Sequence, residues 1–279
     1  MKSLQGHHLR SVGTVRNYEQ GLTRVAEWTQ RERLPGGLRA MTPELAIRYL
    51  EQRGQEVGQK ALDMERQAMQ AMMQHVTGQL AHGARIPVIK SEQAQVLTAR
   101  AYTAPQVALI AAAQTPRHGL ATELAYAAGL RAHELLTLRR GEERAADPRP
   151  ALASKWQGRN GVIYTVHGKG GLVREVLLPH ALAERLEAVR LDAPLEITDR
   201  GIHYQSHYDI GGGQRWSNSV SAASERALGW STGAHGLRHS YAQERMAELQ
   251  ASLSRDAALT TVSQEMGHFR PEITETYLR

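Results

Sequence analysis

One change of rhythm limits what this chain can fold into. Through the first eighty residues apolar side chains recur every three or four positions, and between residues 83 and 97 that period stops. Val15, Tyr18, Leu22 and Val25 share one helical face. Thr42-Pro43-Glu44 reads as the start of a second helix, with a hydroxyl cap, proline at the first helical position and an acid in the first turn. Leu62, Met69, Met72, Val76 and Leu80 mark a third, whose methionines read as core filler. The segment GARIPVIKSEQAQ that follows carries Pro87 and no apolar period, so it reads as an extended linker. A length of 279 residues suits a division into two blocks.

The second block opens at Thr103-Ala104-Pro105, another helix start, and continues through the apolar helix LATELAYAAGL. Two β-type runs, GVIYTV and LVREVLL, flank the glycine-rich turn His167-Gly168-Lys169-Gly170-Gly171, which predicts a hairpin. The remainder reads as helical, apart from a long loop over 197–214 that contains Gly211, Gly212 and Gly213. The expected fold class is mainly α with a small antiparallel β-sheet.

Composition narrows the function. No stretch approaches the roughly 18 consecutive apolar residues of a membrane-spanning helix, and MKSLQGHHLRSVG has no apolar signal-peptide core. With no cysteine, disulfides, thiolate metal sites and thiol catalysis are excluded, which fits a reducing, cytoplasmic setting. The formal net charge is +6, and of 34 basic residues only Lys2, Lys60, Lys90, Lys155 and Lys169 are lysines. Guanidinium binds planar oxyanions through paired donors and stays charged at any working pH, so nucleic acid is a candidate partner, the alternative being a GC-rich genome that writes arginine wherever lysine would do.

Four segments hold residues suited to work on an anionic substrate. In GLRAHEL, Arg131 and Glu134 are three apart and meet on one helical face. Lys169 stands in the glycine-rich turn, where small neighbours permit close approach. In HGLRHSYA, His235 and Arg238 lie one helical turn apart, pairing an imidazole with a guanidinium as an anionic oxygen requires. In MGHFRPEITETYL, Pro271 is placed to start a short helix with Ile273 and Tyr277 on one face, and Tyr277 lies nine residues beyond His268.

Together, in this order, these segments resemble the boxes of the tyrosine recombinase (phage integrase) family: a first arginine box, a lysine-bearing β-hairpin, a His-x-x-Arg box and a terminal Gly-His…Tyr box. The N-terminal block is similar to the helical, SAM-like core-binding domain of that family. The resemblance implies a DNA-binding domain over 1–85, a linker over 86–100 and a catalytic domain over 101–279. It implies Arg131, Lys169, His235, Arg238 and His268 as the set that activates a phosphodiester, Tyr277 as nucleophile and Glu134 as an ancillary residue that orients its neighbours. Site-specific cleavage and rejoining of double-stranded DNA, without metal, cofactor or ATP, by a homo-oligomer (a tetramer) assembled on DNA would follow, in a nucleoid-associated protein with no membrane partner.

Three departures stand out. His133 and His239 add imidazoles inside the boxes, Gly211, Gly212 and Gly213 have no place in the family pattern, and the chain ends two residues after Tyr277, where members of that family commonly carry a further tail. Three other readings compete. The same fold can bind DNA without turnover, and a type IB topoisomerase uses the same chemistry. A metal-dependent phosphodiesterase would draw on the His203…His207 and His235…His239 spacings.

Overall fold

The computed structural model describes residues 4–9, 12–95, 97–268 and 270–279, with Lys169 described in its backbone alone. The chain divides into two compact units, Met1–Leu97 and Thr98–Arg279.

The first unit is built on α1 (Val12–Arg31), α2 (Pro43–Gly54) and α3 (Gln59–Met72). The stripe Val15, Tyr18, Leu22 and Val25 is buried, and Trp28 extends it into a core with Tyr49, Leu50, Leu62 and Met69. Thr42 caps α2 by accepting from the backbone N–H of Leu45. Leu62, Met69, Met72 and Leu80 are buried, whereas Val76 is exposed beyond the end of α3. The segment that follows is extended, yet part of it belongs to this unit. Ile86 is buried in the helical core, the Ser91 hydroxyl donates to the Val57 carbonyl at 2.6 Å, and Gln59 Nε2 donates to the Ile89 carbonyl at 3.1 Å. Its two isoleucines seat it on the helices. Beyond it, Arg100 Nη2 donates to the Thr232 carbonyl and the Tyr102 N–H to the Ser240 hydroxyl, within the second unit.

The second unit begins with α4 (Ala104–Ala112) and α5 (Pro116–Ala128). A three-stranded antiparallel sheet follows, in the order β1 (Arg139–Arg140), β2 (Val162–His167), β3 (Val173–Leu178). The hairpin expected from the sequence is β2–β3, with Val166 opposite Arg174 and Tyr164 opposite Val176. Helices α6 (His180–Glu187), α7 (Gly213–Leu228), α8 (Gly236–Gln250), α9 (Arg255–Glu265) and the short α10 (Pro271–Glu275) complete the unit. Leu120, Leu124, Leu130, Tyr164, Val176, Trp216 and Leu237 share its core. Among the described residues no helix is long and apolar enough to cross a membrane.

Residues 190–208 correct the sequence reading. They form a second antiparallel hairpin, β4 (Arg190–Asp199) and β5 (Ile202–Tyr208), rather than a helix running into a loop. Arg200 and Gly201 both have positive φ, as a two-residue turn of the hairpin type requires. Pro194 lies where the register between the strands is irregular, a position that tolerates its missing donor. The three glycines then let the chain run hard against its neighbours. A Cβ on Gly212 would come 2.4 Å from the Leu136 side chain, and one on Gly213 (φ 60°) 2.6 Å from Asp199 Cγ. The Gly213 N–H donates to the Ala132 carbonyl at 2.7 Å, fastening this segment to the loop that carries Arg131.

Candidate active site

Helix α5 ends at Gly129, whose left-handed φ of 58° turns the chain toward Arg131. A Cβ on Gly129 would meet the Tyr241 ring at 2.8 Å, so the glycine lets the end of α5 lie against α8. The Gly129 carbonyl accepts from Arg238 Nη1. Arg238 is fully buried on α8, and its Nη2 reaches the Met266 carbonyl at 3.3 Å and His268 Nε2 at 3.2 Å. Its Nε has no hydrogen-bond partner.

Glu134 is the electrostatic centre. Its carboxylate is fully buried and accepts from the Arg131 backbone N–H at 2.7 Å, from Arg131 Nη1 at 2.7 Å and from Arg174 Nη2 at 2.8 Å, while Arg238 Nη1 lies 3.9 Å away. Burial works to raise the Glu134 pKa. Arg174, Arg238 and Arg131 outweigh it and hold the carboxyl well below the usual carboxylate range. Burial and then the charge of Arg131 push the Arg238 guanidinium down to about 10, which leaves it charged at neutral pH. Three guanidiniums around one carboxylate leave two positive charges in excess.

Tyr277 packs into this cluster. Its ring centre lies 5.2 Å from those of His235 and His268 and 4.9 Å from that of His239, with the Arg238 guanidinium carbon at 5.5 Å. The ring is buried beside Tyr241, Val262 and Met266. His268 is oriented from both sides. A guanidinium can only donate, so Nε2 is the acceptor toward Arg238, and the proton rests on Nδ1, 2.8 Å from the Thr274 hydroxyl. Burial, then Arg238, push the His268 pKa down to about 3; burial, then Arg100, take His239 to about 4. His235 lies exposed ahead of α8, and the protein packed around its ring, then Arg238, lower its pKa. All three imidazoles are neutral near pH 7.

The structure thus gathers Arg131, Glu134, His235, Arg238, His268 and Tyr277 in one place. The side chain of Lys169 lies outside the described residues. The hairpin end that carries it abuts the cluster, since a Cβ on Gly168 would stand 3.6 Å from Glu134 Oε1. Ile273 does not share a face with Tyr277: it is 40% exposed, and Thr274 is the buried residue of α10. His203 and His207 sit on β5, where residues four apart are roughly 13 Å distant along a strand. Among the described residues no group of three or more His, Asp or Glu side chains gathers as a metal site.

Arg174 was not anticipated. It occupies the inward register of β3 with Val176 and Leu178, and a charged residue in that alternation was the available signal. Glu265 was missed as well. It holds Tyr241 and Arg245 through its carboxylate and Arg174 through its carbonyl, fixing the end of α9.

No family model matches this chain, and no curated protein matches it in sequence. Solved structures match its fold. XerH site-specific recombinase, in a post-cleavage complex with palindromic difH substrate, is similar with a TM-score of 0.58 at 15% identity, over 95% of this chain and 76% of that one. A lambda integrase tetramer bound to a Holliday junction gives 0.59 at 16% identity, over 99% and 74%. The Tn1549 transposon integrase in complex with transposon right end DNA gives 0.56 at 13%, over 100% and 92%. The fold is that of the tyrosine recombinases, mainly helical with small antiparallel sheets.

Proposed function

We propose that this protein is a site-specific recombinase that breaks and rejoins DNA strands through a 3′-phosphotyrosyl intermediate. The observation that carries the reading is the packing of Tyr277 against Arg238, His235 and His268, beside a carboxylate that orders Arg131. Among the solved structures with this fold, the Tn1549 transposon integrase is in complex with transposon right end DNA and the lambda integrase is a tetramer bound to a Holliday junction, which supports duplex DNA as the partner and an oligomer assembled on it.

A phosphodiester resists attack because it is anionic, and its charge grows as the pentavalent state forms. Arg131 and Arg238 neutralise the non-bridging oxygens, and the two excess positive charges of the cluster match that growth. The Tyr277 phenol loses its proton as its oxygen attacks phosphorus. His235, whose ring centre lies 5.2 Å from that of Tyr277, accepts that proton in this reading. The departing 5′ oxygen takes a proton from Lys169 at the hairpin end, and the 3′ phosphate stays on tyrosine. Attack by a second strand's 5′ hydroxyl reverses the step, so no ATP is needed. Once the anion displaces Arg238 Nη2, His268 in its other neutral tautomer, with the proton on Nε2 instead of Nδ1, donates to a phosphate oxygen while Nδ1 accepts from the Thr274 hydroxyl.

The test is a nicked suicide duplex incubated with excess chelator. A covalent protein–DNA band supports the reading, and retained DNA binding without any band on all candidate sites supports a binding module instead. Affinity should fall steeply with salt, as release of counterions from phosphates demands.

A further inference from the structure

Arg174 is a buried charge to which the chemistry above gives no step of its own. A bidentate ion pair joins it to Glu134, Nε to Oε1 at 3.3 Å and Nη2 to Oε2 at 2.8 Å, while Nη1 donates to the Glu265 carbonyl at 2.7 Å. Gly267, at a φ of 71°, lies directly over it, and a Cβ there would stand 2.5 Å from Arg174 Cδ. One side chain therefore ties together the strand leaving the Lys169 hairpin, the carboxylate that orders Arg131, and the turn that presents His268.

Stability does not explain an arginine here. Its neighbours in register, Val176 and Leu178, and its cross-strand partner Val166 are apolar, and a well-packed apolar side chain commonly matches or betters a buried ion pair. The ion pair matters for what Glu134 would do without it. Arg131 and Arg238 flank the same carboxylate, at 2.7 and 3.9 Å. With Arg174 gone, both Glu134 oxygens would turn fully to those two guanidiniums, and the excess positive charge would fall from two to one.

We propose that Arg174 is a positioning residue: it occupies the Glu134 carboxylate so that Arg131 and Arg238 keep their remaining donors for a phosphate. This rests on the recombinase reading of the site, and the experiment separates the two. Arg174→Met, Arg174→Lys, Glu134→Gln and the double variant Arg174→Met/Glu134→Gln are compared in single-turnover cleavage of a nicked duplex, in duplex affinity, and in orthovanadate binding to the free protein. Arg174→Met should slow cleavage about 100-fold while duplex affinity changes less than about threefold, because the Arg174 side chain is buried and satisfied within the protein. Removing the carboxylate's charge in the double variant should recover at least about tenfold of that loss, and the Arg174→Met deficit should shrink as pH falls, because Glu134 without its strongest cation takes up a proton at higher pH than in wild type. Vanadate binding should weaken and recover in the same order. Arg174→Lys keeps the charge and should fall between wild type and Arg174→Met, which decides the matter should Arg174→Met fail to fold. Equal losses in cleavage and affinity, or no recovery in a folded double variant, would overturn the proposal. If the unaltered protein forms no covalent adduct, the recombinase reading fails by itself, and the vanadate series still decides the role of Arg174.

Discussion

The guanidinium carbon of Arg238 lies 5.5 Å from the centre of the Tyr277 ring, so the buried cation is covered by the phenol proposed to attack. The pair gains cation–π attraction because both groups are buried, and it also fixes Tyr277 as part of the core shared by α8 and α9. Tyr277→Phe keeps the ring and should leave unfolding free energy within about 1 kcal/mol of wild type. Tyr277→Ala empties the space beside Tyr241 and Met266 and should cost about 3 kcal/mol. Denaturant titration of the two variants checks this; equal stability would mean the ring is not packed.

Gly267 combines a left-handed backbone with contact against Arg174, so a methyl group there strains the turn and pushes on the ion pair at once. Gly267→Ala should lower stability by about 1–3 kcal/mol and cut cleavage at least about tenfold, because His268 follows directly. Melting and single-turnover assays read both effects, and a variant as stable and active as wild type would refute the close packing.

Acid sensitivity follows from the buried imidazoles. His239 and His268 are held at about 4 and about 3, whereas an unfolded chain takes up their protons near pH 6.5. A depressed histidine pKa means stability is complete above about pH 6.5 and is lost as pH falls toward 4, where the unfolded state binds more protons. Between pH 7 and 5 the two should together cost about 4 kcal/mol, and His239→Gln should remove about half of that slope. Glu134 adds its own loss only at lower pH, since its pKa lies well below the ordinary carboxylate value. Denaturation at pH 7 and 5 tests the sign, and stability that is unchanged or higher at pH 5 would contradict it.

Much of this was legible in the sequence where a local rule and the fold agree. The stripe on α1, the proline starts of α2 and α4 and the glycine-turned β2–β3 hairpin need only periodicity and turn chemistry, and all are present. The β4–β5 hairpin escaped because its strands are mostly exposed and carry no alternating apolar face, and Pro194 argued against a strand. Ile273 misled for a related reason. Helix α10 stops at Glu275, so the helical spacing from Ile273 does not reach Tyr277. Glu265 was hidden because ion pairs between residues far apart in sequence leave no local period, and Arg174 showed only as a charge in the inward alternation of β3, with nothing local to name its partner.

Contacts near the division of the chain predict where a protease enters. Gln93 is held to the first unit through the Gln55 carbonyl, and Arg100 is held within the second through the Thr232 carbonyl. Limited proteolysis should cut first between these two residues and release fragments that resist further digestion. First cuts within 141–160 instead would place the weakest point inside the second unit.

The central claim is that the Tyr277 oxygen becomes bonded to DNA. A nicked suicide duplex trapped with the protein, digested with trypsin and analysed by mass spectrometry should carry its 3′ phosphate on the C-terminal peptide at Tyr277, with no adduct from Tyr277→Phe at equal DNA occupancy. Phosphate attached to any other residue, or an adduct that survives Tyr277→Phe, would contradict the account.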